Sequence, residues 1–113
     1  MRTEVTLAVS EYTDMPIGRD EKDGPKNGAD YRDNYVIPAL DQYSLVKIDF
    51  NNTLGAAPSF LEELFGGLVR DGKITPENFH SRIQVVYSYQ SVKNNITRYV
   101  KEAHDRLMKV KNV

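Results

Sequence analysis

Apolar runs of period two alternate along this chain with apolar stripes of helical period, and that order confines it to helices packed on a sheet. Val5, Leu7 and Val9 alternate with Thr6, Ala8 and Ser10, which predicts a strand over residues 4–10 with one face toward a core. Residues 45–50, Leu-Val-Lys-Ile-Asp-Phe, predict a second strand, and their near-continuous apolar start points to a central place in the sheet. Residues 83–88 predict a third. Between and after these runs the spacing changes. Tyr31, Tyr35, Val36, Ala39 and Leu40 predict a helix over 29–41, and Phe60, Leu61, Leu64, Phe65, Leu68 and Val69 predict one over 58–70. A last helix is predicted from a Ser91 cap through Val92, Ile96, Tyr99, Val100, Ala103 and Leu107. The alternation of strands and helices favours an α/β fold. We expect a small sheet of three or four strands, mostly parallel or mixed, with right-handed crossovers and amphipathic helices on it.

Local chemistry sharpens two of the helices. Pro38 removes the N–H that would pair with the Asn34 carbonyl, so a kink or a tightened last turn is expected there. Ser59 followed by Glu62 fits a capping box, and Gly72 after Arg70 fits a C-terminal stop. Gly66 and Gly67 each cost about 1 kcal/mol of helix propensity relative to Ala. Close approach of a neighbouring backbone is the simplest compensation.

Composition then narrows the function classes. A chain of 113 residues, 40% hydrophobic and 27% charged, has enough apolar material for one core, so we expect one domain over 1–113, folding alone or as a homo-oligomer. A net charge of −1 gives no excess of cations to displace counterions from a nucleic acid. The absence of cysteine excludes disulfides, thiol nucleophiles and thiolate metal sites. The first residues alternate and carry Glu4, unlike a signal peptide or a membrane span, so a cytoplasmic protein with no membrane contact is expected.

The candidate site residues lie in two places. Residues 11–28 break the apolar pattern with Pro16, Gly18, Gly24, Pro25, Asn27 and Gly28 among charges, and a loop of this length is commonly functional or mobile. Arg19, Asp23, Gly24, Gly28 and Arg32 form a candidate partner or ligand loop, because glycine-rich backbone entering a helix can present N–H groups to an anion. No phosphate-binding glycine spacing occurs, and Glu11, Asp14, Asp20, Glu21 and Asp23 would repel an anion, so an arginine paired with one of these acids is the competing reading. Ser59 is the second place, as a helix cap or as a phospho-acceptor at the positive end of a helix. There Glu62 and Glu63 would repel a phosphate. His80 and His104 lack the spacing of metal ligands and read as surface residues, and no serine-nucleophile turn is present, so neither a metal nor a cofactor nor catalysis is expected. The six bases Lys93, Arg98, Lys101, Arg106, Lys109 and Lys111 outnumber Glu102 and Asp105 and give the alternative reading of a nucleic-acid accessory helix.

Three runs also carry a family likeness. Tyr35-Val36-Ile37-Pro38-Ala39-Leu40, Val46-Lys47-Ile48-Asp49-Phe50 and Ser59-Phe60-Leu61-Glu62-Glu63-Leu64-Phe65-Gly66-Gly67-Leu68-Val69 together resemble the bacterial STAS-like domain family of unknown function, as do Gly18-Arg19, Asp23-Gly24, Gly28 and Tyr31-Arg32 upstream. That family is similar to STAS domains, including anti-anti-sigma factors, which bind an anti-sigma kinase and are switched by phosphorylation of a serine at a helix start. The resemblance implies a non-catalytic regulatory module that docks on a kinase or sensor-type ATPase, with Ser59 at the position of the switched serine. Here Ala57-Pro58-Ser59-Phe60-Leu61 replaces the usual Asp-Ser-Ser-Gly-Leu type of sequence.

Overall fold

In the computed structural model, which describes residues 2–111, the three period-two runs form one parallel sheet in the order β1-β2-β3. The strands are β1 (Arg2–Ala8), β2 (Tyr43–Asp49) and β3 (Ile83–Val86). β2 is central, as its apolar start predicts. Register places Val5 beside Val46, Leu7 beside Ile48 and Ile48 beside Val85, so one face is apolar throughout. The other face carries exposed Glu4, Thr6 and Gln84. Sequential strands joined by right-handed crossovers put both connections on the same face, which accounts for the difference. The first strand ends earlier than residue 10. Val9 is fully buried and its carbonyl accepts from the N–H groups of Tyr12 and Thr13, which turns the chain through a short 3-10 helix, Val9–Glu11.

Helix α1 covers 28–42 and helix α2 covers 58–70, and each contains one wide π turn, Arg32–Val36 and Glu62–Gly66. The turn expected to tighten before Pro38 is instead widened: the Ile37 N–H reaches back five residues to the Arg32 carbonyl. A π turn absorbs the proline because it relieves the pairing that proline cannot make. In α2 the predicted stripe is core, with Phe60, Leu61, Leu64, Phe65, Leu68 and Val69 all buried. Its end follows the expectation for Gly72. At φ +73° this residue takes the left-handed conformation, donating to Val69 while Lys73 donates to Leu68, the paired bonds of a Schellman motif.

A short helix α3 (Phe79–Arg82), not anticipated by periodicity, precedes β3. Its Arg82 donates to the carbonyls of Ser44 (2.9 Å), Leu40 (2.7 Å) and Tyr43 (3.1 Å), tying the end of α1 to the start of β2. Helix α4 (Gln90–Lys111) begins one residue before the expected cap, so Ser91 lies inside the first turn. Its Ile96, Val100 and Ala103 are buried as α4 packs along α2. Phe50 links the layers, with ring centroids 6.5 Å from Phe60 and 6.3 Å from Phe65. No helix among the described residues is long and apolar enough to cross a membrane.

Candidate functional site

The carboxyl end of the sheet is built from three segments that meet after the strands. After β2, Asn51 turns back on the Asp49 carboxylate at 2.8 Å, Asn52 takes φ +68°, and Gly55 takes φ +121° where an L side chain would be strained. The chain then enters α2 with Ala57 as the N-cap and Pro58 at the first helical position. The segment after β1 runs alongside it: Leu54 donates to the Asp14 carbonyl (2.7 Å) and Ala57 to the Pro16 carbonyl (2.9 Å). From the third segment, the N–H and hydroxyl of Ser88 both donate to Asn51 Oδ1, at 3.2 and 3.1 Å. Ligands and partners of parallel α/β sheets bind at this end.

Ser59 sits here, but it does not cap α2. Its hydroxyl donates to the Ile17 carbonyl at 2.8 Å, and no side chain caps the helix. The expected capping box is therefore corrected. With Pro58 as the first helical residue, Ser59 is already inside the turn, and Ile17 offers its oxygen an unpaired acceptor. On the segments that adjoin it Met15, Ile17 and Leu54 are exposed large hydrophobics, Leu54 at 81% of its surface, and Tyr89 after β3 is another. The backbone pairing of 14–16 with 54–57 brings the first three alongside one another. An open cleft of about 730 Å³ adjoins Leu54 and Tyr89, bounded also by Asn51, Thr53, Tyr87 and Ser88.

The predicted loop residues converge on α2 one turn further along. Arg19 Nη1 lies 2.6 Å from Glu62 Oε1 and 3.1 Å from Glu63 Oε1, and Arg70 Nη1 lies 2.7 Å from Glu62 Oε2. Arg32 Nη1 donates to the Glu63 carboxylate (2.7 Å) and to the Glu63 carbonyl (2.9 Å). An arginine paired with an acid was the competing reading for this loop, and pairing occurs, but Arg19 pairs with Glu62 and Glu63 of α2, and Arg32 with Glu63, Asp33 and Asp71, rather than with the loop acids. Asp23 instead accepts the backbone N–H of Arg19 at 2.9 Å. Gly24, at φ +123°, offers its carbonyl to the Asn27 side chain. Gly28 is the point of closest backbone approach: a Cβ there would lie 2.6 Å from the Phe60 carbonyl oxygen. The expected backbone approach at Gly66 and Gly67 is corrected, since the space over Gly67 is taken by the Arg32 guanidinium and that over Gly66 by Glu62 and Arg70.

Several of these roles were not apparent from residue types. Asn27 caps α1, accepting from the Asp30 N–H at 2.7 Å, and Tyr12 inserts its hydroxyl between the Asp30 carboxylate (2.6 Å) and the Asn27 N–H (3.0 Å). Asn27 just before Gly28, with Asp30 three residues after it, was the available signal for the cap. Burial, reinforced by the Asp30 carboxylate, raises the Tyr12 phenol above its ordinary value, so it stays protonated at neutral pH.

Burial pushes the Glu62 carboxyl up, yet Arg70 and Arg19 outweigh it and hold it below its ordinary value of 4.5. A depressed carboxyl stabilises the fold above its unfolded value and loses that contribution as pH falls through the folded one. Urea midpoints of the wild type and of Glu62→Gln should therefore converge as the pH falls below the ordinary value of 4.5. A constant gap over that range would show that the charge of Glu62 is immaterial.

The remaining candidates lie elsewhere. His80 is exposed and His104 half-buried, and both border a cleft of about 300 Å³ with Glu77 and Asp105. Among the described residues no group of three or more histidines and carboxylates could hold a metal ion. On α4, Arg98 pairs with Glu102 (3.1 Å) and Lys101 with Asp105 (2.8 Å), which offsets part of the basic face. The Lys111 side chain, and Met1, Asn112 and Val113 of the expected domain, lie outside the described residues.

No curated protein and no solved structure shows significant similarity to the chain. A family model for the STAS-like domain of unknown function (DUF4325) matches residues 28–93. That match runs from the glycine seated on Phe60, through both π-containing helices and the Ser59 turn, into the start of α4. The chain belongs to this STAS-like domain family.

Proposed function

We propose that the protein is a non-catalytic regulatory module that docks a protein partner, a kinase or sensor-type ATPase of the cytoplasm, on the carboxyl end of its sheet, with Ser59 as the residue that switches the contact. The observation that carries this reading is the exposed set Met15, Ile17 and Leu54 on the paired segments whose Ile17 carbonyl holds the Ser59 hydroxyl. Single exposed apolar side chains are ordinary, whereas a group of them on adjoining segments marks a contact surface. Two features of the site weigh against chemistry there. The Ser59 proton is committed to a carbonyl, and the strongly perturbed tyrosines Tyr12 and Tyr31 are both shifted away from ionisation.

The switch follows from the tether. A phosphate on Ser59 removes the donor that holds Ile17 and places charge in the first turn of α2, where the helix dipole favours it. Glu62 and Glu63, which would repel it, are already paired with Arg19, Arg32 and Arg70. Phosphorylation then frees Ile17 and the segment beside Leu54, altering the surface while the core is untouched.

Two measurements check this. Ser59→Ala should lower stability by about 0.5–1.5 kcal/mol, the worth of one hydrogen bond. Ser59→Asp should cost more than Ala, because its carboxylate faces the Ile17 carbonyl, and it should speed hydrogen exchange at Leu54 and Ala57. An Asp variant as stable as wild type would remove the tether argument. For the docking surface, a photo-crosslinking residue at Leu54 should capture a defined partner in the native host that the same residue at Lys101 does not. Equal capture at both positions would dismiss it.

A further inference from the structure

Among the described residues β3 has one strand neighbour and one free edge, being last in the order β1-β2-β3. The register decides which backbone groups face that edge. Asp49 pairs with Val86, and Phe50 donates its N–H to the Val86 carbonyl at 2.9 Å. Along a parallel strand the N–H and C=O of successive residues point to alternate sides. Gln84 and Val86 therefore address β2, and Val85 addresses the free edge.

Protein edges are normally blunted by shortness, charge, proline or a bulge, because a bare edge is a template for another strand, and the four residues of β3 leave shortness alone among these devices. β3 reads Ile-Gln-Val-Val and carries neither charge nor proline. A cleft of about 600 Å³ runs beside it. Leu45 and Val85, both partly exposed, supply apolar surface on one side over the buried Phe79 and Ile83, and Lys93, Asn94 and Thr97 of α4 form the other. Among the described residues lining this cleft no carboxylate occurs, and the ionisable side chains are Lys93 and His80.

We infer that the β3 edge is a strand-addition site that takes an extended segment of a partner protein, alternating aliphatic and acidic residues, as a fourth strand beside α4. Main-chain bonds to Val85 supply affinity without regard to sequence, and the apolar side together with Lys93 selects the side chains. Charge separates this occupant from a second copy of the chain. An isologous pairing of two β3 edges would bring two copies of Lys93 and His80 together with no acid between them. The site shares no lining residue with the cleft beside Leu54, so it stands or falls independently of the docking surface proposed there.

A fluorescein-labelled peptide Val-Glu-Val-Asp-Val-Glu-Val, titrated with the full chain and read by anisotropy, tests this. Saturable binding is expected, together with slowed exchange of the Val85 amide. Lys93→Glu should weaken binding by about tenfold or more, and a peptide with lysine at the acidic positions should bind comparably less well than the acidic one. A peptide N-methylated at alternate residues should lose binding, because it cannot complete the ladder. Val85→Pro should do the same while the sheet remains, since the N–H it removes faces outward. Should Val85→Pro fail to fold, the N-methylated peptide and Lys93→Glu decide the matter. The inference is overturned if no peptide binds, if the N-methylated or lysine peptide binds as well as the acidic one, or if sedimentation shows a β3-edge dimer that excludes the peptide.

Discussion

Leu64→Ala is expected to destabilise the fold by about 2–5 kcal/mol, the range for deleting three buried carbon atoms where the surroundings collapse only in part. Leu64 has no exposed surface and lies in the wide turn of α2, in the same buried stripe as Phe60, Phe65 and Leu68. α2 packs against α4, so a void at Leu64 is felt by both layers. Denaturant unfolding should show the loss as a lowered midpoint with an unchanged slope. A midpoint equal to that of wild type would mean that this stripe is not core.

The second large effect is expected where Arg32 crosses Gly67. The Arg32 side chain is only 11% exposed and its partner Glu63 19%, so truncation leaves a half-buried carboxylate and a carbonyl short of a donor. Arg32→Ala should cost about 1.5–3 kcal/mol, the range for hydrogen bonds to charged groups. Gly67→Ala by itself should also destabilise, because its methyl group would occupy the place of the guanidinium. In the Arg32→Ala background the sign should reverse. With the guanidinium gone, Ala at 67 regains up to about 1 kcal/mol of helix propensity. Four denaturation curves, for wild type, the two single variants and the double variant, measure the coupling. Additivity within about 0.5 kcal/mol would show that Arg32 does not impose glycine at this position.

What the sequence by itself determined is whatever depends on near neighbours. The strand and helix periods, the central place of β2, the buried stripe of α2 and the stop at Gly72 were all legible, because each is a pattern repeated within a few residues. The family likeness was legible for the same reason, since it rests on contiguous runs. The candidate site was legible as a set of residues and illegible as an arrangement. Ser59 looked like a cap because Glu62 follows it at capping distance, yet its hydroxyl goes to Ile17, 42 positions away, and Glu62 goes to Arg19, 43 away. The same holds for the arginine seated on Gly67, for the Arg82 fork and for the outward side of Val85. Only the tertiary structure decided these, because an ionised or hydroxyl side chain takes the partner that folding brings within hydrogen-bonding distance, and local spacing carries no information about which distant segment that will be.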